Sequence, residues 1–213
     1  MARTRVGILA SGRGSDFQSL VDARDRGELD VELAVLVCNV PGALVIERAR
    51  KAGVPATVVD HRPFGQDREG FERAVVKVLR EHRVDLVVFA GFMRIVTRYL
   101  VAEFPNRIMN IHPSLLPAFP GAHAHRDVLA AGAKVSGCTI HFVDASVDGG
   151  PFILQKAVPV MEDDTEASLE ARILEWEHRL LPLAVRLFAE GRLKVDGHRV
   201  RIDARGVEIP PSA

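Results

Sequence analysis

The sequence predicts an α/β fold in which a doubly wound, mainly parallel sheet is covered by helices on both faces. Short apolar runs alternate with longer segments whose apolar residues recur at helical spacing. The runs are nearly continuous, which is typical of strands buried on both faces. The length of 213 residues and the apolar content of 47% suit one domain with a substantial core.

The first half of the chain predicts a repeated strand–helix order. Strands are predicted at 5–10, 31–39, 55–60, 84–91 and 107–112. The intervening helices are predicted at 11–27 (after a turn), at 43–53 and at 67–82, with a short helix before the fifth strand. This order indicates parallel strands joined by crossover helices. In such sheets, ligands bind beyond the carboxyl ends of the strands.

The second half predicts a mixed or antiparallel arrangement. A helix at 122–134 precedes two strands at 136–144 and 152–160, which a turn at 145–150 joins. A long helix at 166–192 follows, kinked at Pro182, and a hairpin at 193–203 comes last. We expect a single domain at 1–213, with halves at about 1–105 and 106–213.

Charge, cysteine content and the first residues narrow the classes of function. The 28 basic and 28 acidic residues cancel, which argues against a nucleic-acid or membrane partner. Cys38 and Cys138 lie in apolar runs and predict buried, reduced thiols. The apolar run near the start is too short for a signal peptide or a membrane span. We therefore expect a cytoplasmic protein.

The stretch NIHPSLLP (110–117) places two polar side chains at the end of a predicted strand. Asn110 and His112 are two residues apart, so their side chains share one face. An amide can donate to a developing oxyanion, and an imidazole exchanges a proton near neutral pH. Together they suit a tetrahedral intermediate at a carbonyl, although a polar strand end that caps a loop is the alternative.

Two glycine-containing turns are further candidates. SGRGS (11–15) lies between a strand and a helix, where Gly12, Gly14 and Ser15 could hold a phosphate and Arg13 could add charge. A plain tight turn is the alternative. In VDGG (147–150), Asp148 is either a turn former or a carboxylate that stabilises a protonated histidine.

The remaining polar residues favour structural roles. His123, His125 and His141 lack further ligands at metal-binding spacing, so we expect structural or supporting roles for them. Glu175 and Glu177 are expected to be solvated, although one of them could reach a ligand.

Six segments in order resemble the folate-dependent formyltransferase family, and within it phosphoribosylglycinamide formyltransferase of purine synthesis. They are SGRGSDFQSL, AGFMRIV, NIHPSLLP, FPGAHAHRDVLAAG, GCTIHFVD and VDGGPFILQ. The similarity covers roughly residues 4–195. NIHPSLLP and VDGGP are specific to folate-dependent formyl transfer, but methionyl-tRNA formyltransferase and formyltetrahydrofolate deformylase share them.

The resemblance implies a Rossmann-like formyltransferase fold and a reaction. The formyl group of 10-formyltetrahydrofolate would pass to the amine of 5'-phosphoribosylglycinamide, with no metal required. Asn110, His112 and Asp148 match the catalytic residues. Asn110 and protonated His112 would stabilise the oxyanion, while Asp148 would keep His112 charged and help relay a proton through water.

The resemblance also implies two sets of binding residues. The set for the ribonucleotide phosphate and the glycinamide comprises Gly12, Arg13, Gly14, Ser15, Asp16 and Glu177. The set for the folate comprises Arg68, Met93, Arg94, Ile95, Val96, Asn110, Asp144 and Val147. Arg13 and Asp16 depart from the usual SGNGSN-like loop, and Leu174 replaces an expected polar residue. A charged Asp16 would repel a phosphate unless it turns away or caps the helix.

Three alternative functions remain. A methionyl-tRNA formyltransferase is expected to carry a further C-terminal domain and a basic surface. A formyltetrahydrofolate deformylase is expected to carry an N-terminal regulatory domain. A non-catalytic folate or nucleotide-binding module is expected to lose one of the three catalytic groups. We therefore expect a formyltransferase that acts on small molecules, as a monomer or a homodimer.

Overall fold

The computed structural model describes residues 2–212, and Met1 and Ala213 lie outside the described part. The chain forms two compact units, the first ending at Asn110 and the second beginning at Ile111. Each unit contains strands and helices, so the predicted α/β class is confirmed.

The first unit is built on parallel strands. They are β1 (Thr4–Ala10), β2 (Val31–Cys38), β3 (Ala56–Val58), β4 (Leu86–Phe89) and β5 (Ile108–His112), whose last two residues belong to the second unit. Within this unit the strand order is β3-β2-β1-β4-β5, and every pairing is parallel. All four residues of β4 are buried, as expected for a strand covered on both faces. The doubly wound arrangement predicted for this half is confirmed.

Four helices connect these strands. They are α1 (Ser15–Asp25), α2 (Leu44–Lys51), α3 (Arg68–Glu81) and α4 (Arg98–Glu103). In α3, Phe71, Val75 and Leu79 recur every four residues and are buried, and the Asp67 side chain accepts a hydrogen bond from the N–H of Gly70 at the helix start. A single 3₁₀ turn at Arg62–Phe64 lies between β3 and α3 and was not predicted.

The second unit contains antiparallel strand pairs. The helix α5 (Ala124–Ala130) precedes β6 (Val135–Phe142) and β7 (Phe152–Pro159), which pair antiparallel. The predicted hairpin is present as β8 (Leu193–Asp196) and β9 (Arg199–Ile202). Its strand β9 pairs in parallel with β7, so the mixed arrangement predicted for this half is confirmed.

The predicted long C-terminal helix is α6 (Glu166–Ala189). Thr165 and Ser168 form a capping box at its start, and Pro182 lies inside the helix among buried residues. The kink expected at Pro182 stays a prediction. The expectation that Glu177 is solvated is wrong, because this side chain is 7% exposed. Glu177 is four residues after Ile173 and four before Leu181, so it lies on the buried face of α6.

Two expectations from composition can be compared with the fold. Cys38 and Cys138 are both buried, as predicted, and neither forms a disulfide in the structure. Within residues 2–212, no helix is long and apolar enough to cross a membrane.

Candidate active site

The strand β5 carries the two candidate groups of the NIHPSLLP motif. Its pattern of burial leaves Asn110 half-buried, with Ile111 and His112 buried. Ile111 lies between the two polar residues and faces the opposite side of the strand. The apolar residue contributes to the core, and the shared face of the two polar residues stays a prediction from the strand period.

His112 lies beside Asp148. The Nδ1 atom of His112 is 3.5 Å from Oδ2 of Asp148, and both side chains are largely buried. Asp148 has a φ of +54°, a left-handed conformation that aspartate tolerates better than most residues. The same Oδ2 accepts a hydrogen bond of 2.8 Å from the N–H of Gly121. A fixed carboxylate at this distance stabilises a protonated imidazole.

A backbone carbonyl group determines whether the other ring nitrogen of His112 carries a proton. Its Nε2 is 2.9 Å from the carbonyl oxygen of Phe119. A carbonyl can only accept, so Nε2 carries a proton and donates it. A protonated His112 therefore has an acceptor near each ring nitrogen.

Three buried or half-buried polar side chains hold the loop that supplies this carbonyl. The Ser114 hydroxyl donates to the carbonyl oxygen of Ala118 at 2.6 Å. The Thr139 hydroxyl donates to the carbonyl oxygen of Ser114 at 2.7 Å and accepts from the N–H of Leu116 at 3.1 Å. Gln155 donates to that hydroxyl at 2.9 Å. Sequence reasoning missed this support, although polar residues inside apolar strands were the available signal.

His141 is also close to Asp148. Its Nε2 is 3.9 Å from Oδ1 of Asp148, and its Nδ1 is 3.0 Å from the carbonyl oxygen of Phe142. Burial lowers the pKa of His141, which favours the neutral ring. Asp148 therefore lies near two histidines, and the expected supporting role of His141 stays a prediction.

The turn before α1 is shaped by contact with α2. Gly14 has a φ of +75°, and a Cβ atom placed there would lie 2.4 Å from Cγ2 of Val45. The N–H of Val45 donates to the carbonyl oxygen of Gly12 at 3.1 Å, and Nε of Arg48 donates to that of Arg13 at 2.9 Å. Glycine at 14 is therefore required by both backbone conformation and packing.

Asp16 is on the buried face of α1 and is 8% exposed. Burial raises its pKa from 3.8 to about 6. The residue at the helix N-cap is Gly14, which has no side chain to cap α1. Both arrangements expected for Asp16 stay predictions, and burial reduces its negative charge at mildly acidic pH.

Four of the predicted folate-binding residues of the first unit fall into two groups. Arg68 and Arg94 line a cavity of about 790 Å³, together with Gly65, Gln66, Asp67, Glu69 and Thr97. Met93 and Ile95 are 73% and 60% exposed. The two arginines are thus brought together, and the two apolar side chains are available to a ligand.

The predicted binding residues of the second unit are arranged differently. The Asp144 carboxylate accepts a hydrogen bond of 2.8 Å from the N–H of Ser146 and another from its hydroxyl. Asp144 therefore stabilises its own turn, while Val147 is exposed and Glu177 is buried.

Among residues 2–212, no group of three or more histidine, cysteine or acidic side chains could hold a metal ion.

Comparison with known proteins identifies relatives over nearly the whole chain. The profile of the formyl transferase family matches residues 4–185. The phosphoribosylglycinamide formyltransferase of Escherichia coli is 38% identical over 204 residues, covering 96% of this chain and 95% of that protein. A trifunctional purine biosynthetic protein of Drosophila melanogaster is 44% identical over 191 residues, but this chain spans only 14% of its length.

Solved structures agree with the sequence relatives. The glycinamide ribonucleotide transformylase of Symbiobacterium toebii superposes with a TM-score of 0.91 at 50% identity, over 94% of both chains. A formyltetrahydrofolate deformylase of Pseudomonas syringae has a TM-score of 0.87 at 26% identity, over 94% of this chain and 66% of that one. From the profile match and these relatives, the chain belongs to the formyl transferase family.

Proposed function

We propose that this chain transfers the formyl group of 10-formyltetrahydrofolate to the amine of 5'-phosphoribosylglycinamide. The observation that carries the proposal is the pairing of His112 with Asp148 at 3.5 Å, at the end of a strand that also carries Asn110. The E. coli and S. toebii relatives bear the name of this activity.

The three residues have complementary tasks in the proposed reaction. When the amine adds to the formyl carbon, the carbonyl oxygen becomes negative, and Asn110 donates a hydrogen bond to it. His112 supplies positive charge to the same oxygen, and Asp148 stabilises that charge. The bond from carbon to N10 then breaks, and the proton lost by the amine passes through water beside Asp148 to N10.

The binding residues suit the two substrates by their chemistry. The exposed Met93 and Ile95 offer apolar contact to a pterin ring, and Arg68 with Arg94 offer positive charge to the carboxylates of the folate tail. The turn at 12–16 offers backbone N–H groups at the start of α1 to the phosphate. We propose small-molecule substrates, a cytoplasmic location and a monomer or homodimer.

A spectrophotometric assay of folate product tests the proposal. The protein is incubated with 10-formyltetrahydrofolate, with and without 5'-phosphoribosylglycinamide. Turnover that requires the amine is expected, whereas release of folate without it would identify a deformylase. His112→Ala should abolish turnover, and the exposed His123→Ala is the matched control.

A further inference from the structure

The segment at 91–97 has no regular secondary structure, yet it is tethered near both ends. The N–H of Met93 donates to the Ser11 hydroxyl at 2.9 Å. The N–H of Thr97 donates to Oε1 of Glu72 at 2.6 Å, and the Thr97 hydroxyl donates to Oε2. Met93, which makes the first of these contacts, and Ile95, which lies between them, both have exposed side chains. The segment therefore offers apolar surface on a backbone that is already held.

Glu72 is an unusual residue for its position in α3. It is 3% exposed, and burial of a carboxylate is costly unless hydrogen bonds compensate for the lost water. Both of its oxygens are used by Thr97, and hydrogen bonds to a charged acceptor are stronger than neutral ones. An apolar side chain would fill this helix face without the desolvation cost. The buried carboxylate of Glu72 is therefore best explained by the hydrogen bonds that it accepts from Thr97.

The neighbouring residue of α3 also contacts the segment. The guanidinium of Arg94 lies 5.0 Å from the centre of the Phe71 ring, a distance at which a cation is attracted to an aromatic face. Phe71 and Glu72 thus hold two positions of the segment from one helix. The first turn of the same helix carries Arg68, which lines the cavity with Arg94.

The other tether is itself held by buried groups. The Ser11 hydroxyl donates to Oδ1 of Asn39 at 2.7 Å while it accepts from Met93. Asn39 is buried, and its Nδ2 is 3.2 Å from Nδ1 of His61. Because a hydroxyl has one proton, its donation to Asn39 leaves lone pairs for Met93. The start of the segment is therefore fixed relative to the ends of β1 and β2.

We propose that Glu72 is a positioning residue for the formyl donor, because it orders the end of the segment at 93–97 before the folate binds. The inference rests on the proposed function and deepens it. Because the segment is already ordered, binding of the folate does not include the entropic cost of ordering it. Glu72 contacts the segment through Thr97 and is assigned no contact with substrate.

The test compares Glu72→Ala and Glu72→Gln with Glu81→Gln, a matched change at an exposed position of α3. Steady-state kinetics give kcat and separate KM values for 10-formyltetrahydrofolate and 5'-phosphoribosylglycinamide. Hydrogen exchange reports on the backbone amides at 93–97. Glu72→Ala should raise the KM for the folate about 10- to 100-fold, the scale of ordering one or two residues. The KM for the ribonucleotide should change less than about 3-fold, and the Thr97 amide should exchange faster.

Glu72→Gln retains one oxygen as an acceptor and should give a smaller increase in the KM for the folate. Equal changes in both KM values for Glu72→Ala, or a KM for the folate equal to that of Glu81→Gln, would overturn the inference. If Glu72→Ala does not fold, the same comparison uses Glu72→Gln, where unchanged exchange at Thr97 and unchanged KM would overturn it. Absence of turnover in the unmodified protein would instead contradict the proposed function, and exchange at Thr97 would still decide whether Glu72 orders the segment.

Discussion

Replacement of Asp16 by asparagine is expected to stabilise the protein in a pH-dependent way. The pKa of this carboxyl rises from 3.8 to about 6 because it is buried in the folded chain. Each pKa unit is worth about 1.4 kcal/mol, so ionisation of Asp16 costs the folded state about 3 kcal/mol. Asparagine has almost the same shape and carries no charge, so Asp16→Asn removes this cost.

The sign of the effect follows from the proton count of the folded and unfolded states. Below pH 3.8 both states hold the Asp16 proton, and the residue then has no electrostatic cost. Between pH 3.8 and about 6 the folded state binds more protons than the unfolded state, so stability falls as pH rises. The loss is complete above pH of about 6. The gain from Asp16→Asn should therefore reach about 3 kcal/mol at pH 8 and about half of that at pH 5.

Urea unfolding of the unmodified protein and of Asp16→Asn at several pH values measures this difference. Asp22→Asn changes an exposed carboxyl of the same helix and is the control, for which we expect a change within about 0.5 kcal/mol. A gain for Asp16→Asn that is the same at pH 5 and pH 8 would falsify the assignment to ionisation. A loss of stability at pH 8 would show that the carboxylate is needed in the folded state.

Three further substitutions test the site. Gly14→Ala should lower the free energy of unfolding by about 2–5 kcal/mol, because alanine is strained in the left-handed conformation and its Cβ would overlap with Val45. A decrease of less than about 1 kcal/mol in urea unfolding would contradict this. Asn110→Ala should lower kcat by about 10²–10³, the scale for one oxyanion donor, and full activity would exclude that role. Asp148→Asn should lower kcat by about 10² or more, because it removes the carboxylate charge beside Nδ1 of His112; an unchanged kcat would exclude a role for this carboxylate in the reaction.

Much of the fold was predictable because the signals are local. The strands of the first unit are continuous apolar runs, and α3 has apolar residues on one face, so their types were predicted with small errors in their ends. The parallel pairing of β9 with β7 was not predicted, because it joins Arg199 to Phe152 across a long stretch of sequence. No local pattern specifies such a pairing.

The site was predictable to a different degree. Asn110 and His112 stand out because the strand period places them together, whereas the glycine-rich turn left two interpretations open for Asp148 and only the resemblance paired it with His112. Glu72 and Glu177 were missed as buried groups, because a carboxylate on a helix is usually solvated. Both glutamates lie at helical spacing from buried apolar residues of α3 and α6. This spacing was the signal that could have predicted their burial.

The carbonyl of Phe119 limits how His112 can take part in a reaction. Its hydrogen bond to Nε2 anchors one edge of the ring, so a change of tautomer would require that bond to break. With Asp148 beside Nδ1, the ring is suited to act as a stationary cation and poorly suited to act as a proton carrier. Addition of the amine to the formyl carbon is the step in which negative charge develops on the carbonyl oxygen. Because His112 keeps its protons during this step, the rate of addition should change little when water is replaced by deuterium oxide.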